Sequence, residues 1–187
     1  QRAEVRFAAA QTPNPTSAAD WVFWTVDTEV LPPIDPNMPD PTPLPEGLGL
    51  FVDATRDANQ APIVAYYDRE NGDLKLARFD PTAGTFGTPQ VLDGAQGTDV
   101  GYYPSVAVGG DGTVYVSYES ATRDDLMFVD TATNTPQIVD DGYRIVGTTD
   151  DGLPKPEFHF VGDDSNVILT PTGPVVIYQD ATTHELL

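Results

Sequence analysis

Two apolar runs of strand length, parted by a polar turn, recur along this chain and leave few folds open to it. Pro62-Ile-Val-Ala-Tyr-Tyr67 is followed by Asp68-Arg-Glu-Asn-Gly-Asp73 and then by Leu74-Lys-Leu-Ala-Arg-Phe79. Asn, Asp and Gly between short apolar segments predict a β-hairpin. Thr113-Val-Tyr-Val-Ser-Tyr118 and Leu126-Met-Phe-Val129, joined through Glu119 to Asp125, repeat the pattern. Pro174-Val-Val-Ile-Tyr178 opens it a third time and leads to Glu185-Leu-Leu187. No helical periodicity competes with it. Aligned on Tyr67, Tyr118 and Tyr178, the units lie roughly 50 to 60 residues apart, near the size of one four-stranded propeller blade. A β-sandwich has no reason to repeat in sequence, so the expected fold is all-β, a β-propeller of four-stranded antiparallel blades.

With strands A to D in each blade, the chain divides as follows. Residues 1–30 supply strands C (Glu4 to Ala10) and D (Trp21 to Val26) of one blade. Residues 31–47 form a connection with Pro32, Pro33, Pro36, Pro39, Pro41, Pro43 and Pro45, too rich in proline for helix or sheet. Residues 48–93 and 103–140 are full blades. Residues 141–165 read as a long loop, and 166–187 begin the next blade. That makes about three blades, whereas closed propellers hold about 4 to 8. The remaining blades are expected from further chain or from another subunit, an expectation strengthened by Gln1, which is not an initiator residue.

The hydrophobic content of 40% suits a packed domain, and the chain contains no cysteine, so disulfides and thiolate chemistry are excluded. Nine basic residues against 29 acidic ones, a net charge of −20, cannot form the basic stripe that nucleic acid requires. No apolar run is long enough to span a bilayer as a helix.

The hairpin segments 62–79, 113–129 and 174–187 resemble the repeats of secreted bacterial β-propeller proteins, grouped broadly with sialidase-like and related propellers. The stretch between strands C and D, Asp80-Pro-Thr-Ala-Gly-Thr-Phe86, sets Asp four residues before Gly, whereas the sialidase Asp-box sets it two before. The resemblance implies an extracellular, cell-surface or periplasmic location and a protein or glycan ligand.

Of the 29 acidic residues 22 are Asp, a turn former and a ligand for hard cations. In a propeller the B–C and D–A connections emerge on one face, which here becomes strongly acidic. Candidate ligand-binding residues on it are Asp68, Asp73, Asp124, Asp125, Arg144 and His159. The pairs Asp140-Asp141, Asp150-Asp151 and Asp163-Asp164 are candidate Ca²⁺ ligands, and Ca²⁺ is the one cofactor the composition suggests. Only His159 and His184 are available as histidines, and neither lies in a nucleophile motif. The sequence therefore favours a non-enzymatic binding or scaffolding module. The alternative is a carbohydrate-active hydrolase or lyase of propeller type using loop carboxylates.

Overall fold

The computed structural model describes residues 2–30, 47–94 and 97–187, which are built almost wholly from antiparallel strands. Most of the proline-rich connection, up to position 46, lies outside the described residues. β1 (Arg2–Ala10) pairs with β2 (Trp21–Val30). A complete blade follows, from β3 (Leu48–Arg56), β4 (Pro62–Asp68), β5 (Asp73–Asp80) and β7 (Gln90–Asp93). The short β6 (Thr85–Phe86) adds a rung at the far end of β5. The second blade is β8 (Val100–Val108), β9 (Val114–Ser120), β10 (Asp125–Asp130) and β11 (Gln137–Asp140), and β14 (Val161–Thr170), β15 (Gly173–Asp180) and β16 (Glu185–Leu186) start a third. The described residues are thus all-β and build part of a β-propeller, two whole blades with portions of a blade on either side.

Aspartate makes many of the turns. Asp57, Asp80, Asp130 and Asp180 each accept two backbone N–H bonds through one carboxylate oxygen, from residues two to four positions on. This local bonding is why Asp favours turns over strand interiors.

The structure shifts the repeat alignment by one residue. Asp68, Ser120 and Asp180 occupy the same place, facing Asp73, Asp125 and Glu185 across the B–C hairpin. Two residues earlier stand Tyr66, Tyr118 and Tyr178, so Tyr66 and not Tyr67 is the repeated tyrosine. The period-two alternation sends adjacent tyrosines to opposite faces, and burial on both faces hid which one repeats. Each repeated tyrosine donates a hydrogen bond to an aspartate on the last strand of the preceding blade: Tyr66 to Asp27 (2.6 Å), Tyr118 to Asp93 (2.6 Å) and Tyr178 to Asp140 (2.7 Å). Val5, Leu74 and Leu126 pair with those same aspartates, each followed by a register slip. β1 and β2 thus share the register that strands C and D have in the two four-stranded blades.

Every blade also meets its predecessor through a glycine. Gly49, Gly101 and Gly162 all have positive φ (+73°, +103° and +107°) and lie against Val5, Leu74 and Leu126. A Cβ on Gly101 would come within 2.9 Å of the Leu74 Cα. Apolar side chains fill the rest of each interface. Val5, Val26, Val64 and Tyr66 form one buried cluster, and Ile63, Leu74, Leu76, Val116, Tyr118 and Met127 belong to the next. Blade faces buried this way are the main source of stability, at about 1.5 to 3 kcal/mol for each large side chain.

The connection over 141–165 is not an irregular loop. It carries a hairpin, β12 (Tyr143–Thr148) with β13 (Pro154–Phe158), and its last five residues already belong to β14. Its alternating residues are exposed on both sides, so the strand pattern lacked a buried face to announce it.

Candidate functional site

Strand A of each blade begins with a register slip just after its glycine. β3 slips between Leu48 and Val52, β8 between Val100 and Ser105, and β14 between Val161 and Asn166. In the bulges of β8 and β14, Tyr103 and Asp164 hold positive φ (46° and 48°), a conformation that aims the chain away from the ladder. The three bulges converge on an open cavity of 520 Å³, lined by Phe51, Val52, Asp53, Tyr103, Asp164 and Asn166 among others.

Aromatic rings make one wall. The Phe51 centroid lies 4.4 Å from Tyr103 and 5.1 Å from Tyr102, and Tyr102 lies 4.4 Å from Tyr67. Both Tyr67 and Tyr102 turn their hydroxyls to the Asp99 carboxylate, at 2.6 and 3.3 Å. The neighbouring blade interface replaces this pair. Glu119 stands where Tyr67 stands, and Asp163 where Tyr102 stands, by the shared strand register. Burial first, then the charge and hydrogen bond of Asp163 and the charges of Asp124 and Asp99, push the Glu119 carboxyl up to about 8. Tyr103 is raised as well, by burial and then by Asp163, Glu119 and Asp164; of these three acids Asp164 lines the cavity, and the other two act on it from behind Tyr103. So placed, Glu119 keeps its proton at neutral pH. The arrangement can therefore donate a proton at neutral pH next to an aromatic surface.

The residues singled out in the sequence have other surroundings. Asp68 is buried and paired with Lys75 and Asn71; burial would raise its carboxyl, but these two partners hold it below the usual range. Asp73 and Asp125 begin β5 and β10 and are raised, chiefly by burial. Asp124 is a turn residue with φ 61° whose N–H bonds Ser120. Arg144 grips Asp140 with two bonds of 2.8 and 2.6 Å, and its guanidinium holds the Asp140 carboxyl down to about 2. His159 is buried, its Nδ1 2.6 Å from Asp180 and its Nε2 3.8 Å from Glu157.

The proposed Ca²⁺ ligands are dispersed. Asp140 ends β11 and Asp141 follows it, Asp150 and Asp151 sit at the tip of the β12–β13 hairpin, and Asp163 and Asp164 belong to the β14 bulge. Among the described residues no group of three or more His, Asp and Glu is arranged to hold a metal. Glu119, Phe51, Tyr67, Tyr102 and Tyr103 were not among the sequence candidates. The signal was the substitution of Glu119 into a position that carries Tyr67 in one blade and Gln179 in another, legible only once the register is known.

No protein-family model and no curated protein sequence matches the chain. Among solved structures it is similar to a GH43 β-1,3-galactosidase solved with galactodeoxynojirimycin (12% identity, TM-score 0.38, covering 75% of this chain and 45% of that one). It is also similar to an exo-β-1,3-galactanase from Clostridium thermocellum (14% identity, TM-score 0.41, covering 96% of this chain and 40% of that one). The chain spans less than half the length of either. Both are named as carbohydrate-active hydrolases, which corrects the expectation of a non-enzymatic binding or scaffolding module in favour of its alternative. At these TM-scores no residue correspondence follows.

Proposed function

We propose that the chain carries the glycan-hydrolysing site of an extracellular β-propeller, at the cavity where β3, β8 and β14 converge. One observation carries this reading: a carboxyl pair, Glu119 with Asp163, in which Glu119 keeps its proton, replaces the tyrosine pair Tyr67–Tyr102 at the equivalent blade interface. A purely structural joint gains nothing from the exchange, because setting two half-buried acids side by side costs stability. Glycoside cleavage needs such an acid. Glu119 protonates the departing glycosidic oxygen, and Asp163 keeps that proton in place until transfer. Asp164, exposed on the cavity wall, is the second carboxylate, activating water or attacking the anomeric carbon. Phe51 and Tyr103 offer their ring faces to the sugar.

The cavity lining contains Asp53 and Asp164 and neither Lys nor Arg, so it suits uncharged sugars. A sialidase-like variant would need cations there to hold the sugar carboxylate. The test is hydrolysis of a panel of neutral β-linked polysaccharides and aryl glycosides by the wild-type chain and Glu119→Gln. Loss of the acid is expected to lower polysaccharide turnover by about 10²- to 10⁴-fold. Aryl glycosides with an acidic phenol leaving group need little protonation and should lose much less. Glycan binding with no turnover by the wild type, or equal turnover by Glu119→Gln, would defeat the reading.

A further inference from the structure

We propose that the outward face of β14–β15–β16 is the seat of one further blade of this same repeat. Its strand A would open with an apolar residue followed by glycine, and it would add the next wall of the cavity. The inference stands apart from the hydrolase reading, because it rests on how the described blades join.

Each junction has two halves, and the outgoing half is repeated on this face. At strand C, Val5, Leu74 and Leu126 are 6%, 0% and 0% exposed beneath the glycine of the next blade, while Leu186 in the same register is 77% exposed. On strand B, Ile63 and Ala65 are 2% and 0% exposed, and their counterparts Val175 and Ile177 are 41% and 40% exposed. On strand A, Asp53 accepts the N–H of Val106 (2.8 Å) and Ser105 accepts that of Val167 (3.1 Å). Asn166 holds the equivalent place in β14, is exposed, and lines the cavity.

A surface that repeats three contacts of an existing interface fits what those interfaces hold. The occupant must therefore have no Cβ over Leu186, hence glycine at positive φ. It must present a strand A N–H to Asn166 and an apolar face to Val175 and Ile177. Its bulge residues, in the place of Phe51, Tyr103 and Asp164, would then face the cavity.

The experiment extends the chain in register. Leu186 matches Leu126, so Leu187 matches Met127, and a second copy of residues 128–187 is fused after Leu187. Melting midpoint and amide hydrogen exchange of β15 are read for the original and extended chains. A higher midpoint is expected, with exchange at Val175 to Ile177 slowed by at least about 10-fold. Both gains should vanish when Gly162→Val is made in the appended copy only. Ile177→Asp in the first copy should remove the gain from the extended chain yet leave the unextended midpoint unchanged, a control that still reads out if the Gly162 variant misfolds. Three results would overturn the proposal. One is an extension that leaves β15 exchange and the midpoint unchanged, whether it folds separately or stays unfolded. Another is Ile177→Asp lowering the unextended midpoint. The third is a native mass showing the unextended chain as a dimer with β15 already protected, since a second copy would then hold the seat.

Discussion

Glu119 is where chemistry and stability pull against each other. Its folded carboxyl titrates above the usual carboxylate range, so the folded state binds this proton more tightly than the unfolded chain. Stability is therefore lost as pH rises from the ordinary carboxylate value towards about 8, where the unfolded chain has released the proton and the folded one has not. Glu119→Gln removes that titration. Its melting midpoint is expected to match the wild type at pH 4 and to exceed it at pH 8.5, and a pH-independent difference would show that the proton is not held as described. Tyr66 and Tyr67 show the limit of reading single residues. Both are buried aromatics in one strand, and only the partners Asp27 and Asp99 reveal that one repeats and the other packs behind the site wall, against Phe51 and Tyr102.

Among elements, strand A is the most constrained, because its second residue must pass close to the preceding blade. Gly101 combines positive φ with a Leu74 Cα that would lie 2.9 Å from any Cβ. Gly84, at φ +70°, has nothing within 4 Å of the same position. Gly101→Ala is therefore expected to cost at least about 2 kcal/mol, through strain and a forced parting of the blades. Gly84→Ala should cost about 1 kcal/mol, from backbone strain alone. Chemical denaturation of the two variants checks the ranking, and equal losses would mean that blade contact contributes nothing at Gly101. The β12–β13 hairpin was illegible for the opposite reason: exposed on both sides, it has no buried stripe to set a period.

At the scale of the whole molecule, the charge of −20 is carried on a surface in which many Asp serve as turn formers. Self-repulsion of that size weakens the folded state and is screened by salt. The melting midpoint should rise with NaCl. CaCl₂ at matched ionic strength is expected to give the same rise, because the Asp pairs first suggested as ligands lie on separate elements and Asp140 is already held by Arg144 and Tyr178. An excess rise with Ca²⁺ over matched NaCl or MgCl₂ would reveal a specific site.

The all-β character and the four-stranded antiparallel blade were readable from the chain, because alternation and turn chemistry are local and the blades repeat them. The site was not readable. Glu119 and Asp163 are 44 residues apart, and whether Asp163 raises Glu119 depends on which residue of each strand the bulges turn inward. Register is a property of paired strands. A slip of one position exchanges the faces, and with them a buried acid for a solvated one.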